Sequence, residues 1–328
     1  MSQGPPGVPG PPTAGNEGDA AEPLPPWPHR SEAGYAPGAR RPALMGVLNV
    51  TPDSFSDGGR FLAPERAIEH GLRLVGDGAD VLDVGGESTR PGAAPVTADE
   101  ELRRVLPVVE GLARATRAPL SIDTTKASVA RAAVEAGATI VNDVSAGLAD
   151  PAMLPTVAEL SAGSEVHLVL MHRQGTPETM QAAPTYDDVV GEVLAHLKGR
   201  VRAAEDAGVP FHRITVDPGI GFGKRLAHNL ALLASLEGLR ALGRPILLGA
   251  SRKSFIGHLT GAEDPSDWLA RERRDAPSER IGGTAAAIAL AAARGAADVL
   301  RVHDVAIMKE AVLVARAIAA AGGGRGGS

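Results

Sequence analysis

Short apolar runs alternate with segments of helical spacing along most of this chain. The runs are five to eight residues long and rich in Val, Ile and Leu, and a segment of helical periodicity follows each of them. In the segment 187–207, for example, one helical face is lined by Val189, Val190, Val193, Leu194, Leu197 and Val201. The runs occupy residues 43–50, 79–85, 119–123, 139–143, 166–171, 213–217, 245–249 and 298–303. Strands this apolar, alternating with helices, predict a parallel sheet that is buried on both faces.

The number of strand–helix units selects one architecture within the α/β class. Eight units in about 250 residues are typical of a closed (β/α)₈ barrel, the TIM barrel. An open doubly wound sheet is the alternative, but the chain lacks the glycine-rich fingerprint that such a sheet carries after its first strand. We therefore predict a single barrel domain over residues 42–321.

The two ends of the chain differ from the rest in composition. Residues 1–41 contain ten of the 26 prolines and almost no apolar clusters, and residues 322–328 read GGGRGGS. Segments of this composition cannot bury enough apolar surface to offset the entropy of ordering. We predict a disordered Pro/Gly-rich tail at the N-terminus and a short, disordered Gly-rich tail at the C-terminus.

Composition excludes several classes of function. The chain has no cysteine, which excludes disulfides, thiolate metal sites and a cysteine nucleophile. Its net charge of −6 argues against nucleic acid or an anionic membrane as a partner, because neither would be attracted. No apolar run approaches the about 20 residues of a membrane span, and the N-terminus lacks the apolar region of a signal peptide. We expect a cytoplasmic protein.

A polar residue stands at the end of almost every predicted strand. These residues are Asn49, Asp83, Asp123, Asn142, His172, Asp217, Ser251 and Arg301. Polar groups are costly in a core unless they have partners. In a parallel barrel the carboxyl ends of all strands meet at one rim, where active sites lie. Helix capping would account for one such residue but not for the whole set, so we predict a polar ligand at this rim.

Positively charged residues follow the seventh and eighth strands. In GASRKSFIG, Arg252 and Lys253 precede a predicted helix, whose positive N-terminal end disfavours cations. They are either solvated side chains or, with Ser251 and backbone N–H groups, part of an anion site. In LRVHDV, Arg301 and His303 share one face of the strand. Arg301 is either an ion-pair partner or, beside His303, part of an oxyanion clamp.

Carboxylates follow several of the middle strands. Asp217 precedes GIGFGK, whose glycines would let the backbone and Phe222 approach a ligand closely. Asp217 is either a turn residue or an acceptor of two parallel N–H bonds from an amidine-like edge. Asp123 either caps the helix predicted at 126–137 or faces the ligand. His172 is interpreted as structural, and no Ser–His–Asp order or H-E-x-x-H motif occurs.

Two loops of small residues follow the first and second strands. The first contains Phe55 within TPDSFSDGG, and the second contains Thr89, Arg90 and Pro91 within GESTRPGA. Such loops commonly close over a substrate. Closure would explain an aromatic side chain in a glycine-ended loop, because Phe55 would leave water only when the loop folds onto a ligand.

Together these motifs resemble dihydropteroate synthase of the folate pathway. The resemblance runs in order over about residues 42–321, through MGVLNVTPDSFSDGG, DVGGESTRPGA, SIDT, VNDVS, MHRQGTP, DPGIGFGK, GASRKSFIG and RVHDV. It implies a (β/α)₈ barrel and a transferase that condenses 6-hydroxymethyl-7,8-dihydropterin diphosphate with 4-aminobenzoate, giving 7,8-dihydropteroate and pyrophosphate. It also implies Mg²⁺ with the diphosphate, competition by sulfonamides, and a homodimer formed through the late helices.

The resemblance also implies roles for individual residues. The pterin diphosphate would contact Asp123, Asn142, Met171, Asp217, Phe222, Lys253, Arg301 and His303. The aminobenzoate would contact Phe55, Thr89, Arg90, Pro91 and Ser251. Turnover would depend most on Asn49, Lys253, Arg301 and His303. Within these sets, Asp217 would take the pterin 2-amino and N3 hydrogens, Arg301 would stack on the ring, and Asn49 would contact Mg²⁺.

Two features depart from the family pattern. Arg173 stands in MHRQGTP where many family members carry methionine, which adds a cation near the pterin slot. The charge-rich segment 261–280 is longer than the fold requires, and we interpret it as a solvated surface insertion. The alanine-rich helix predicted at 283–296 could pack closely enough for dimerisation.

Two other functions are compatible with parts of the pattern. A barrel that transfers a methyl group from methyltetrahydrofolate would share the Asp and Asn contacts to the pterin, but it would not need the SRKS and RVHDV anion groups. A non-synthetic paralogue would bind the pterin without turning it over, and a single sequence does not separate it from the synthase.

Overall fold

The structure, a computed structural model, describes residues 41–51, 63–88, 94–176, 179–180, 183–259 and 280–323. Both predicted tails lie almost entirely outside these residues, as does the insertion at 261–280 except for its last residue. The predicted site residues Phe55, Thr89, Arg90 and Pro91 also lie outside them, so their roles remain predictions.

Strands and helices alternate along the described part of the chain. The strands are β1 Ala43–Asn49, β2 Val81–Gly85, β3 Leu120–Asp123, β4 Ile140–Asp143, β5 His167–Met171, β6 Ile214–Asp217, β7 Leu247–Leu248 and β8 Val299–Val302. The α-helices are α1 Ala63–Asp77, α2 Ala98–Ala115, α3 Ala127–Glu135, α4 Met153–Gly163, α5 Val189–Asp206, α6 Leu226–Ala234, α7 Ser254–Leu259, α8 Ile281–Ala293 and α9 Val305–Gly323. Short 3₁₀ turns at Phe211–Arg213 and Leu236–Leu242 precede β6 and β7.

The strands form one parallel sheet that closes on itself. Its order is β6-β5-β4-β3-β2-β1-β8-β7, and a parallel bridge between Val216 and Ile246 joins the two ends. The Val216 N–H donates to the Pro245 carbonyl at 3.0 Å across this seam. The predicted (β/α)₈ barrel is therefore confirmed, and each predicted strand agrees with the observed one to within two residues at either end.

Side-chain alternation divides each strand between two environments. Residues such as Leu44 and Leu82 point outwards into a large apolar layer beneath the helices. The inward residues near the amino ends of the strands form a separate apolar cluster of Met45, Val81, Ile140, Val169, Leu247 and Val299. Two residues further along three of these strands, the same inward face carries Asp83, Asn142 and Arg301. The barrel interior thus changes from apolar to polar toward the carboxyl ends of the strands.

Helix α5 shows how the sequence pattern produces a barrel helix. Four residues of its predicted apolar face, Val189, Val193, Leu197 and Val201, are buried. The other two, Val190 and Leu194, are partly buried and pack against the core. Asp188 caps its first turn by accepting a hydrogen bond from the Gly191 N–H at 3.1 Å. No helix among the described residues is both long and apolar enough to cross a membrane.

Candidate active site

An ion network of four side chains occupies the polar half of the barrel. Arg301 donates from Nε to Asp83 Oδ2 at 2.6 Å and from Nη2 to Asp123 Oδ2 at 2.7 Å. Asn142 Nδ2 donates to the same Asp83 oxygen at 3.2 Å. Asp83 is fully buried and Asp123 is 7 % exposed. The ion-pair interpretation of Arg301 is thus realised, through Nε and Nη2 of the guanidinium.

Burial and charge act in opposite directions on Asp123. Loss of water raises the pKa of this carboxyl to about 7, although the Arg301 guanidinium acts to lower it. The Asp83 and Asp123 carboxylates in turn raise the pKa of Arg301 above its ordinary value, although burial acts to lower it. Helix α3, which Asp123 could have capped, instead begins after Lys126, and the Ala127 N–H donates to Asp150 at 2.8 Å. Asp123 therefore belongs to the barrel interior and not to the helix.

Asp217 lies on the opposite side of the mouth from this network. Its Oδ1 accepts a hydrogen bond from the Gly219 N–H at 2.7 Å, and its Oδ2 lies beside Gly249, 3.8 Å from where a Cβ on that glycine would stand. Burial raises the pKa of Asp217 to about 6, against the lowering effects of Lys253, Lys224 and Arg301. The turn role of Asp217 thus uses one oxygen and leaves the other for a ligand.

Lys253 and Phe222 meet next to Asp217. The ammonium of Lys253 stands 3.8 Å from the centroid of the Phe222 ring, which is a cation–π contact. Burial lowers the pKa of Lys253 to about 8, with the nearby Arg301 charge acting in the same direction. Phe222 also packs with Met171, and with Val144 and Met180, in a small apolar cluster. A flat apolar wall therefore adjoins a carboxylate and an ammonium.

Ser251 and His303 form a second polar pair at the rim. Ser251 Oγ lies 3.0 Å from His303 Nδ1 and accepts a hydrogen bond from the His303 N–H at 3.2 Å. Burial, followed by the charges of Arg301 and Arg252, lowers the pKa of His303 to about 3. His303 is therefore neutral at physiological pH. In the tautomer in which Nδ1 accepts from the Ser251 hydroxyl, the Nε2–H of His303 is the group that can donate to a ligand. The positive charge felt by His303 comes from Arg301, Arg252 and Lys253.

Arg252, which the sequence pattern left as either a solvated side chain or part of an anion site, forms an ion pair. Its guanidinium pairs with Asp304, through Nε to Oδ2 at 2.9 Å and Nη2 to Oδ1 at 2.5 Å. Its backbone has a φ of 57°, which is uncommon for a residue with a side chain, and its N–H donates to Thr284 Oγ1 at 3.0 Å. The Arg252 side chain stays 32 % exposed in this ion pair, and its charge is one of those that act on His303.

Asn49 stands at the end of β1 beside a gap in the rim. It is paired in register with Gly85, and its Oδ1 would lie 3.8 Å from a Cβ on that glycine. The same Cβ would lie 3.8 Å from Asp123 Oδ2. Gly85 thus separates Asn49 from Asp123 without filling the space between them. A hard oxygen ligand at a hydrated rim suits Mg²⁺, which usually keeps several waters and takes few protein ligands.

Three features of the site are not apparent from the sequence. The pattern identifies Asp83 as a polar residue at a strand end but not as the residue that holds Arg301. Lys224, at the end of the glycine-rich loop, is only 3 % exposed, and the sequence pattern does not indicate its burial. Lys126 bridges Glu87 at 2.5 Å and the fully buried Glu101 at 2.6 Å. The carboxylate partners of Arg301 and Lys126 come from other elements of the fold. Lys224 contacts His172 at the end of β5, so no local pattern identifies any of these contacts.

The chain is similar to known proteins over most of its length. Residues 45–303 match the family described as pterin binding enzyme. Dihydropteroate synthase from Mycobacterium leprae is 52% identical over 272 residues, covering 83% of this chain and 91% of that protein. The Escherichia coli K12 enzyme of the same name is 44% identical over 276 residues, covering 84% of this chain and 91% of that protein.

Solved structures agree with these relatives. Xanthomonas albilineans dihydropteroate synthase with 4-aminobenzoic acid is 51% identical with a TM-score of 0.75, covering 85% of this chain and 93% of that chain. A structure of the Xanthomonas albilineans enzyme with 7,8-dihydropteroate is 48% identical with a TM-score of 0.72, covering 85% of this chain and 94% of that chain. The Yersinia pestis enzyme in a sulfonamide drug complex is 41% identical with a TM-score of 0.75, covering 85% and 95%.

Proposed function

Because the chain belongs to the pterin binding enzyme family, and within it to the dihydropteroate synthases, we propose that the polar mouth of its barrel holds both substrates of that reaction. The chain is a transferase that joins 6-hydroxymethyl-7,8-dihydropterin diphosphate to 4-aminobenzoate, releasing pyrophosphate and giving 7,8-dihydropteroate. The observation that carries the assignment is the gathering of Asp217, Lys253, Arg301 and His303 in one mouth, beside the apolar wall of Phe222.

The pterin ring would lie between the Phe222 wall and the Arg301 network. The free oxygen of Asp217 and a second lone pair on Oδ1 would accept the 2-amino and N3 hydrogens. Asn142 and Asp123 would contact the other ring nitrogens, and Lys253 the carbonyl edge. Met171 would line the slot, and a face of the Arg301 guanidinium would stack on the ring. Asp123 would donate or accept according to its protonation, since its pKa is about 7.

The diphosphate would lie at the rim between β1 and β8. Arg301 would supply charge there, and the neutral His303 would donate from Nε2. Asn49 would be a ligand of Mg²⁺, which when bound neutralises charge on the departing pyrophosphate. The described residues offer no strong base and no covalent nucleophile in this mouth. Turnover therefore rests on neutralising the leaving group and on orienting the incoming amine in a shielded pocket.

The aminobenzoate would enter from the side of β7 and the two loops. Ser251 and the N–H groups at the start of α7 would receive its carboxylate, with Phe55, Thr89, Arg90 and Pro91 completing the pocket. Sulfonamides, which share the aniline ring, would compete there, as the complex of the Yersinia pestis enzyme supports. We expect a sulfonamide to raise the KM for 4-aminobenzoate without weakening pterin diphosphate binding.

Pyrophosphate release tests the proposed function. With both substrates and Mg²⁺, the purified chain should release one pyrophosphate for each dihydropteroate formed, and chelation of Mg²⁺ with EDTA should abolish release. Omission of 4-aminobenzoate should leave pterin diphosphate binding intact but give no dihydropteroate. Pterin binding without product under all conditions would identify a non-synthetic paralogue. Methyl transfer from methyltetrahydrofolate would identify the other alternative.

We propose that two copies pair through an exposed apolar face on α8 and α9. Helix α9 exposes Ile307, Val314 and Ile318, which are spaced by seven and four residues and so share one face. Leu290 of α8 is 64 % exposed and Ile318 is 68 % exposed. An apolar face of this kind on a protein of ordinary composition is typical of an interface between subunits.

A cytoplasmic location also remains a prediction.

Charge substitutions on this face test the dimer. The double substitution Leu290→Glu with Ile318→Glu should convert a dimer into a monomer in light scattering, because it would bury four unpaired carboxylates across a two-fold interface. Leu148→Glu is the matched control, since Leu148 is 59 % exposed and follows β4. It should leave the mass unchanged. A monomeric parent chain, or a double variant that stays dimeric, would contradict the proposal.

A further inference from the structure

The side chain of Lys224 is enclosed by hydrogen-bond acceptors. Its Nζ lies 2.9 Å from His172 Nδ1, 2.9 Å from the Gly219 carbonyl and 3.0 Å from the Phe222 carbonyl. A fourth contact, to the His172 carbonyl, is longer at 3.4 Å. An ammonium has three N–H donors and no acceptor, so the three short partners match its capacity. The site fits a charged lysine whose every hydrogen is used.

The loop between Asp217 and Lys224 is wrapped around this ammonium. Gly219, Gly221 and Gly223 have φ values of 67°, 83° and 62°, which turn alternate peptide groups and aim carbonyls inward. A Cβ on Gly219 would lie 1.9 Å from the His172 carbonyl oxygen. The glycines therefore permit a close wrapping that side chains would prevent.

A buried charge at this position needs a compensating role. Burial of an ammonium is unfavourable even when it is hydrogen-bonded, and an apolar side chain of similar length would avoid the desolvation. The loop that Lys224 holds carries both Asp217 and Phe222, the carboxylate and the ring wall of the pterin slot. Lys224 also acts on Asp217 through its charge. Lys224 thus acts on the pterin slot in two ways, by shaping the loop that carries Asp217 and Phe222 and by the effect of its charge on Asp217.

We propose that Lys224 is a positioning residue whose ammonium shapes the 217–224 loop and keeps Asp217 in the carboxylate form that binds the pterin edge. The inference rests on the proposed role of Asp217 in pterin binding. A protonated Asp217 would present a hydroxyl where the pterin presents two donors. The charge of Lys224 favours the carboxylate and so favours the form that accepts.

The charges around the two groups decide where the effect is visible. Asp217 faces Lys253, Lys224 and Arg301, and burial places its pKa at about 6. Removal of one of these cations must raise the pKa of Asp217. As the pH is lowered, Asp217 would then be protonated earlier, and pterin affinity would begin to fall at a higher pH than in the parent. The pKa of Lys224 itself is lowered by burial to about 7, so its charge is present on the acid side.

The remaining neighbours of Lys224 do not compete for this assignment. His172 has a pKa lowered by burial to about 2 and stays neutral over the range of interest. His196 and His228 also feel the Lys224 charge, and burial lowers the pKa of each. Lys253, with a pKa of about 8, titrates on the alkaline side. Asp123, with a pKa of about 7, also titrates in the slot on the acid side, but it is present in the parent and in every variant. The informative quantity is therefore the displacement of the acid limb between a Lys224 variant and the parent.

The absence of cysteine from the chain permits a matched test. The Lys224→Cys protein is alkylated in denaturant with 2-bromoethylamine, which restores an ammonium, or with 1-bromopropane, which adds a neutral chain of equal length, and is then refolded. Binding of pterin diphosphate is measured by calorimetry from pH 5 to pH 9. Lys224→Met, expressed directly, provides a second neutral variant that needs no refolding.

We expect the aminoethyl protein to follow the parent. The propyl protein and Lys224→Met should lose about tenfold in affinity near pH 6, with the acid limb displaced upward by about one pH unit, and should approach the parent above pH 8. Refolding of the aminoethyl but not the propyl protein would also support the proposal. An identical profile in both alkylated proteins, or an equal loss at every pH, would overturn it. A parent chain that does not bind pterin diphosphate would instead overturn the proposed function.

Discussion

Asp217→Ala should weaken pterin diphosphate binding more than any other single substitution in the pterin slot. The alanine would leave the 2-amino and N3 hydrogens of the ring without acceptors in a buried site. Each unmet donor costs roughly 1–3 kcal/mol, so affinity should fall by about two to four orders of magnitude. Isothermal titration calorimetry with pterin diphosphate measures the loss, and the KM for 4-aminobenzoate should change little in comparison.

Asp217→Asn separates hydrogen bonding from shape. One oxygen of Asp217 accepts from the Gly219 N–H, and the other is left for the ligand. In the asparagine variant, one of these two positions must hold an NH₂ group that faces another donor. We therefore expect Asn to lose nearly as much affinity as Ala, while the fold is retained. Near-normal binding by Asp217→Asn would show that the residue fills space and does not recognise the pterin edge.

Removal of Arg301 should have the largest effect on turnover. The guanidinium pairs with Asp83 and Asp123, and in the proposed function it would also neutralise charge on the leaving diphosphate. Loss of one preorganised group of this kind costs about 10²–10³ in kcat. Arg301→Gln should therefore fall by at least that factor in the pyrophosphate release assay. It should also lose about 3–5 kcal/mol of folding stability, because two buried carboxylates would lose their cation.

A second substitution separates stability from catalysis at this position. Asp83→Asn combined with Arg301→Gln removes one negative and one positive charge. Asp123, whose pKa burial already raises in the parent chain, is then free to take up a proton. Urea denaturation should show most of the lost stability restored in the double variant, whereas turnover should remain as low as in the single variant. Recovery of both would mean that Arg301 serves the fold alone.

The barrel could be predicted because its determinants are local. Each apolar run is followed by a helical segment with its own buried face, as Val193 and Leu197 of α5 illustrate. The strict alternation of side chains then places Asn49, Asn142 and Arg301 on the inner face, two or four residues beyond apolar positions of the same strands. A pattern of this kind identifies which residues share the mouth even where it does not show what they contact.

The contacts within the mouth could not be predicted because they join distant parts of the chain. Arg301 lies 218 residues from Asp83, and the Ser251–His303 and Arg252–Asp304 pairs each span 52 residues. Whether Arg252 is solvated or paired depends on where β8 ends relative to β7, which no local motif encodes. The same holds for Lys224, whose partner His172 comes from the end of β5.

Protonation is a further property that only the fold determines. His303 reads in sequence as a cation beside Arg301, but burial and the neighbouring guanidinium groups lower its pKa to about 3. Asp123 reads as an obligatory anion, but burial raises its pKa to about 7. Both shifts arise from desolvation, so they follow from the packing of the mouth as a whole.

A crystal structure with 6-hydroxymethyl-7,8-dihydropterin diphosphate tests the arrangement of this mouth most directly. We expect the 2-amino and N3 edge of the pterin to lie within hydrogen-bond distance of Asp217, with the ring between Phe222 and Arg301. We expect the diphosphate to lie against His303 and Asn49. A pterin bound with that edge turned away from Asp217, or bound outside the carboxyl ends of the strands, would contradict it.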